Sequence, residues 1–339
     1  MVARHVLQAA AIVASAGMLC TLLIVALHPL LERYALVRPN ARSSHKIPTP
    51  QGGGIAVVVA TVMTAGSIFY ASGASISSAG SLPIVFAAVI LIACVGAMDD
   101  IRPIEVTPRL LSQALAVLLA VYALPEGLRV LPMLPWWLER LLLIVAGLWF
   151  VNLVNFMDGL DWMTVAEVLP VSVALAVTAS LDALPREGAV ISLSLCGAML
   201  GFSYFNRPVA KLFLGDVGSL PVGLLVGWLL LLLAARGHLV AAILLPLYYL
   251  ADATITLFRR LIRGEQIWQA HRFHFYQRAT DHGFTVIEVV GWVFAVNIAL
   301  AALAVLTIIE PSKLGNFVAL LGGAALVTIL LFAFARGKK

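Results

Sequence analysis

Residues 82–100 read LPIVFAAVILIACVGAMDD: seventeen uncharged, mostly apolar positions and then, with no spacer, Asp99 and Asp100. A helix needs about 20 apolar residues to cross the hydrocarbon core of a bilayer. The stretch therefore predicts a spanning helix that ends at one membrane face on two carboxylates. Similar runs occupy about 6–31, 55–71, 110–124, 138–151, 163–180, 189–205, 217–235, 239–258, 286–309 and 316–335, which makes eleven candidate spans. The run at 138–151 is short and reaches across only with Trp136 and Trp137 as interfacial anchors, so the expectation is ten to eleven spans. Of the 339 residues, 62% are hydrophobic and 12% charged, a balance that excludes disorder and an ordinary soluble fold. Continuous runs, rather than alternation, exclude an outer-membrane barrel. Backbone polar groups in lipid need internal partners, so the predicted fold is all-α, a polytopic transmembrane helical bundle forming one membrane domain over 1–339.

Cys20, Cys94 and Cys196 stand singly inside apolar stretches and read as buried hydrophobes. The first run, Val6 to Leu31, exceeds the roughly 7–15-residue core of a cleaved signal peptide and is expected to be a retained span. Eleven spans place the two termini on opposite sides. Sixteen of the 22 Lys and Arg then fall on the side of the C-terminal Arg336, Lys338 and Lys339, against six on the other. The positive-inside bias puts that side in the cytoplasm and the N-terminus outside. The net charge of +5 is a product of this topology and requires no nucleic-acid partner.

Six of the eight aspartates, Asp99, Asp100, Asp158, Asp161, Asp216 and Asp281, share the cytoplasmic side, although topology gives carboxylates no reason to prefer it. Carboxylates at membrane depth are costly unless paired, cation-bound or wet, so they mark a candidate site. Two adjacent carboxylates such as Asp99 and Asp100 repel, which a divalent metal or a shared proton would relieve. A solvated span end with Arg102 as partner is the alternative. Asn152, Asn155, Asp158 and Asp161 recur at i, i+3, and a helix would stack them along one edge as oxygen donors suited to magnesium rather than zinc. Gly159 suits a turn and makes helicity there uncertain; a helix cap and loop is the plainer reading.

Around Asp216, Gly215 and Gly218 allow close backbone approach, and the span beginning near Val217 would offer N-terminal amides to an anion. Lys211 adds a cation and Phe213 an aromatic plate for a base. The loop from Arg38 through His45, Lys46 and Pro48-Thr49-Pro50 to Gly52-Gly53-Gly54 combines cations with glycines, as phosphate-binding loops do. In the longest cytoplasmic loop, His271, Arg272, His274 and Arg278 offer donors to a pyrophosphate. Asp252, inside the ninth run, reads as a structural partner for a polar group in the bundle, with an ion-pathway role as the alternative.

Taken in order, these segments resemble the polyprenyl-phosphate N-acetylhexosamine-1-phosphate transferases of glycosyltransferase family 4. The resemblance runs from about 38 to 283 and rests on His45-Lys46 with Pro48-Thr49-Pro50, on Asp99-Asp100 with Arg109 and Gln113, on the Asn152 to Asp161 series, on Phe213 to Ser219, and on the histidine loop. It implies transfer of a sugar 1-phosphate from a UDP-N-acetylhexosamine to undecaprenyl phosphate with release of UMP. It also implies a magnesium requirement, with manganese as a substitute, and a bacterial inner-membrane location with membrane lipid around the chain; a homodimer is compatible with it. By the same resemblance Asp216 is the main metal ligand and Asn155 a second. Asp99 and Asp100 handle the acceptor phosphate, one as general base. Phe213 and Asp161 hold the uracil, and Lys46 and His271 the phosphates. Asp158 and His274 join the catalytic set, and Asn152, Lys211 and Arg272 the substrate-binding set. The active site is expected from loops 32–54, 98–109, 152–162, 206–217 and 259–285.

Two departures from the family pattern stand out. Many relatives carry three grouped histidines where this chain has His271-Arg272-Phe273-His274, which leaves one role to Arg272 or Tyr276 or unfilled. Trp162 stands where a glycine commonly follows. The histidine-loop form is similar to the subgroup that starts O-antigen with N-acetylfucosamine or N-acetylquinovosamine phosphate. The peptidoglycan muramoyl-pentapeptide branch is the alternative within the family, and a secondary transporter the alternative outside it.

Overall fold

A computed structural model describes residues 2–37, 48–72, 81–125, 127–266 and 272–338, with side chains from Arg4. It is an all-α polytopic membrane fold. The helices are α1 (Val2–Tyr34), α2 (Gly53–Ala71), α3 (Leu82–Ile101), α4 (Val106–Tyr122), α5 (Trp136–Met157), α6 (Met163–Ser180), α7 (Arg186–Ser203), α8 (Asp216–Leu233), α9 (Leu239–Leu244), α10 (Leu247–Ile262), α11 (Phe275–Asp281), α12 (Val286–Ile309) and α13 (Lys313–Arg336). Each of the eleven apolar runs is largely helical. Among the described residues eight helical stretches are long and apolar enough to cross a membrane, α8 running on through α9 as one of them. α4 is apolar but only 17 residues long. α7 opens on Arg186-Glu187, and α10 carries Asp252, Arg259 and Arg260, which lowers the hydropathy of both.

The ninth run is not one helix. A π-helical turn at Ala234–His238, with Gly237 at φ 94°, bends the end of α8, and the chain breaks again at Leu245-Pro246 before α10. Proline lacks the N–H that would continue the ladder, and the buried bundle tolerates the break. Large apolar side chains point outward along the helices, including Met63, Ile90, Leu111, Trp292 and Ile329, which is the surface a lipid solvent requires and an aqueous one penalises. A small ladder departs from the all-α expectation: β1 (Leu36–Val37) pairs antiparallel with β2 (Thr49–Pro50), and Gln51 bridges to Phe213.

α8 is the hub. It is buried along nearly its whole length and packs against α2, α3, α4, α5, α6 and α9. Small residues let the backbones close on it. A Cβ on Gly54 would overlap the Gly218 backbone, and one on Gly96 would overlap the carbonyl of Asp216. The N–H groups of Gly53 and Gly54 are not free to cradle a phosphate: they donate to the carbonyls of Phe213 and Leu214 (both 2.9 Å), and Gly54 seats α2 against α8. α2, α3 and α8 thus converge at the end that carries Asp99, Asp100 and Asp216.

Candidate functional site

Six segments meet at that end of the bundle. At the close of α3, Asp99 accepts from the Ile104 N–H (2.6 Å) and pairs with the Arg109 guanidinium (2.9 Å). Asp100 turns the other way. Its two oxygens accept the N–H groups of Asp216 (2.9 Å) and Val217 (3.1 Å), so it caps α8 from 116 residues upstream. The helix-terminal amides expected to meet a ligand anion are satisfied by this carboxylate instead, because the opening amides of a helix have no partner of their own and a nearby negative charge fills that place. Gln51 fixes the turn by donating to the Asp100 carbonyl (2.8 Å).

α5 ends at Met157, with Asp158 as its C-cap, so the four-residue series is divided. Asn152 donates to Gln113 (2.7 Å) and to the Leu148 carbonyl (2.8 Å), tying α5 to α4. Asn155 donates to Asp216 (2.7 Å) and to Ser219 (2.9 Å). With its nitrogen so engaged, its amide oxygen stands beside Asp216 as an acceptor. Asp158 lies beyond the helix and accepts from the Thr164 hydroxyl. Dehydration, reinforced by the charges of Asp216, Asp100 and Asp161, outweighs that bond and pushes the Asp158 carboxyl up to about 8. Asp161 is buried and accepts from the Ala210 N–H (2.9 Å), which anchors the loop that carries Lys211 and Phe213. The stacked edge predicted for Asn152, Asn155, Asp158 and Asp161 is thus a helix end, a cap and a loop anchor, all at one place.

Trp162 occupies the position where a glycine was expected, and its φ of 63° is the left-handed conformation that glycine adopts at no cost. The cost is offset locally. Its N–H donates to Asn206 (2.8 Å), and its indole N–H donates to the Ser203 carbonyl (2.6 Å). Lys211 is exposed, and Phe213 is half-buried with its backbone paired to Pro50.

The histidine segment is held by Asp252, which is fully buried in α10. Asp252 accepts from the N–H groups of Phe275 (3.0 Å) and Tyr276 (3.1 Å), contacts His274 Nδ1 (3.2 Å), and is bracketed on its own helix by Tyr248 and Thr256 (both 3.2 Å). The structural reading of Asp252 holds, with the histidine loop as its partner. Tyr276 is fully buried, donates to the Phe156 carbonyl (3.0 Å) and stacks on His274, so it docks the loop on the turn before Asp158. That makes it an anchor rather than a replacement for a third histidine. Arg272 faces Asp281 at 3.5 Å. Lys46 and His271, expected to touch phosphates, lie outside the described residues.

Asp99, Asp100, Asn155, Asp158, Asp161 and Asp216 therefore share one end of the bundle, and the side chains of Asp99 and Asp216 interact directly. Among the described residues no three His, Cys, Asp or Glu side chains stand ready-made around a metal ion. Among the described residues the donors at Asp216 are carboxylate and amide oxygens. That set suits a hard cation that keeps much of its water and takes one or two protein carboxylates, as magnesium does. Two carboxylates in contact are also an arrangement that a cation stabilises.

Residues 82–234 match the model of glycosyl transferase family 4. Over 302 residues the chain is 26% identical to the probable undecaprenyl-phosphate N-acetylglucosaminyl 1-phosphate transferase of Bacillus subtilis, covering 82% of this chain and 81% of that protein. It is 31% identical over 212 residues to the decaprenyl-phosphate N-acetylglucosaminephosphotransferase of Mycobacterium tuberculosis, covering 57% of this chain and 52% of that one. A phospho-N-acetylmuramoyl-pentapeptide-transferase of Moorella thermoacetica is 30% identical over 161 residues, which is 46% of this chain and 49% of its own. The match spans α3 to α8, the helices that bring Asp99, Asn155 and Asp216 together. The resemblance to glycosyl transferase family 4 is thus borne out over residues 82–234, as that of a membrane-embedded transferase.

Proposed function

We propose that the chain transfers an N-acetylhexosamine 1-phosphate from a UDP-sugar to undecaprenyl phosphate at the cytoplasmic face of the bacterial inner membrane, releasing UMP. The supporting observation is the meeting of Asp99, Asp158 and Asp216 with Asn155 at one end of the bundle, where a lipid phosphate and a water-soluble nucleotide have common access. The lipid acceptor class and the N-acetylglucosamine class of donor are those in the names of the Bacillus and mycobacterial relatives. Initiation of O-antigen is the finer reading, supported by the His-Arg-x-His form of the loop.

An oxygen of the acceptor phosphate attacks the phosphorus bonded to the sugar, and the bond from that phosphorus to the bridging oxygen breaks, so UMP leaves with the electron pair. Phosphoryl transfer of this kind is mainly positioning and charge neutralisation. Magnesium, held by Asp216 and the Asn155 oxygen, would neutralise the phosphates. Asp99, oriented by Arg109 and Ile104, would take the proton of a protonated acceptor phosphate. Asp100 serves by position: it holds the N-terminus of α8, and with it Asp216, in place. Asp158, His274 and Arg272 flank the same face, while Asp161 sets the loop that presents Lys211 and Phe213 to the nucleotide.

The test is UMP release by purified protein supplied with undecaprenyl phosphate, magnesium and a panel of UDP-N-acetylhexosamines. Asp216→Asn is expected to lower the rate at least about a hundredfold, the scale of removing a main electrostatic stabiliser. Glu310→Gln, at the other end of the molecule, should leave it unchanged. Counterflow uptake of a solute with no UMP release from any UDP-sugar would overturn the assignment.

A further inference from the structure

The opposite end of the bundle contains a cavity of about 710 Å³, of a size that takes a small organic molecule or part of a lipid. The first turns of α3, α5 and α7 and the last turns of α4 and α8 form its walls, and Leu118, Val121, Ile144 and Leu232 make most of the surface apolar. Among the described residues, two donors in this wall have no partner: the Nε of Arg140 and the indole nitrogen of Trp228, in residues only 9% and 2% exposed.

Among the described residues no carboxylate answers the charge of Arg140. Its other nitrogens reach the carbonyls of Val121 and Leu128 only at 3.5 and 3.4 Å, long for hydrogen bonds, and its cation lies over the Trp136 ring at 5.7 Å. Glu139, the adjacent carboxylate, is taken by Arg129 and by the N–H groups of Val130 and Leu131. Arg236 adds a second, exposed cation that donates to the Asp182 carbonyl (3.2 Å), and Glu187 is the one carboxylate among the lining residues. A buried guanidinium without an anion is costly, and an unpaired indole N–H beside it adds to the cost. A free inorganic anion would answer the charge but leave the apolar wall wet. Tyr122 and Trp136 in the wall are the residue types that mark a membrane interface.

We propose that this cavity binds an anionic phospholipid of the leaflet opposite the carboxylate site, its phosphate on Arg140 and the Trp228 N–H and an acyl chain along Leu118 and Ile144. The full chain, delipidated in detergent, is titrated by native mass spectrometry with phosphatidylglycerol, with phosphatidylcholine of the same chains, and with inorganic phosphate as competitor. Phosphatidylglycerol should bind at least about tenfold more tightly than phosphatidylcholine, on the scale of one charge-assisted contact. Leu118→Trp, at a half-exposed wall position that tolerates a larger side chain, should weaken that binding about tenfold or more while UMP release is unchanged. Trp228→Phe, which removes only the donor, should weaken it a few-fold. Equal binding of the two lipids, equal binding by wild type and Leu118→Trp, or displacement by millimolar phosphate would each overturn the proposal. Should Arg140→Leu fail to fold, the other two variants still decide.

Discussion

Replacing Asp252 by alanine removes one carboxylate that five donors share. Two of them, the N–H groups of Phe275 and Tyr276, open the short helix α11 and have no partner of their own within it. Each buried donor stranded in this way costs about 1–3 kcal/mol, and a hydrogen bond to a carboxylate, of the kind the Phe275 and Tyr276 N–H groups make, is worth about 1.5–3 kcal/mol. These overlap rather than add, so about 3–5 kcal/mol is expected for undocking the segment from α10, or roughly two to three and a half orders of magnitude in its closing equilibrium. The assay is amide hydrogen exchange across 275–281, run beside UMP-release kinetics. Exchange should quicken about a hundredfold or more in Asp252→Ala, and kcat should fall, because Tyr276 would no longer hold its place on the Phe156 carbonyl. Asp252→Asn keeps one accepting oxygen and should fall between the two. Unchanged protection of Phe275 and Tyr276 in the alanine variant would refute the tethering argument, whatever happened to activity.

Other outcomes follow from the packing and the acids. Gly54→Ala forces a methyl into the Gly218 backbone, where neither helix can yield cheaply, and is expected to cost at least about 1–3 kcal/mol of stability and most of the activity, whereas Gly127→Ala meets open space and should change neither, as thermal unfolding in detergent will show. Without metal, the raised Asp158 carboxyl means that the folded chain holds a proton which the unfolded chain releases in the ordinary carboxylate range. Stability in EDTA should therefore fall as pH rises from about 4 to 8 and level off above, by linkage. Asp158→Asn should reduce the slope. An unfolding midpoint independent of pH in wild type would contradict the crowded-carboxylate picture.

The apolar runs were legible because the requirement for them is local: a span is a matter of consecutive side chains, and nothing distant has to be known. The clustering of acids on one side was legible too, since each stands at the end of a run and the runs alternate. What escaped depends on partners far along the chain. Gly52 to Gly54 look the same whether they cradle phosphate or seat a helix, and only the approach of Gly218 decides. Asp100 caps amides 116 residues away, so its divergence from Asp99 has no signature in the dipeptide itself. The i, i+3 spacing of Asn152 to Asp161 was a real signal of convergence but a poor one of conformation, because Asp158 ends the helix and Trp162 turns left-handed beyond it. Asp252 carried one hint, a carboxylate inside a span with Tyr248 and Thr256 a turn away on either side, but its main partners lie 22 to 24 residues on.

The cap that Asp100 places on α8 also bears on the order in which the molecule is made. The ribosome delivers the acidic pair at the end of α3 more than a hundred residues ahead of the amides it will hold. Through the insertion of α4, α5, α6 and α7 the Asp100 carboxylate waits for these partners, while Asp99 already has Arg109 and Ile104. Arrival of α8 supplies the amides that Asp100 holds, with α9 to α13 still to follow. A nascent chain arrested before Asp216 should consequently be inserted but unlocked, and the interval between translating the two segments is the time in which quality-control proteases meet an unfinished enzyme.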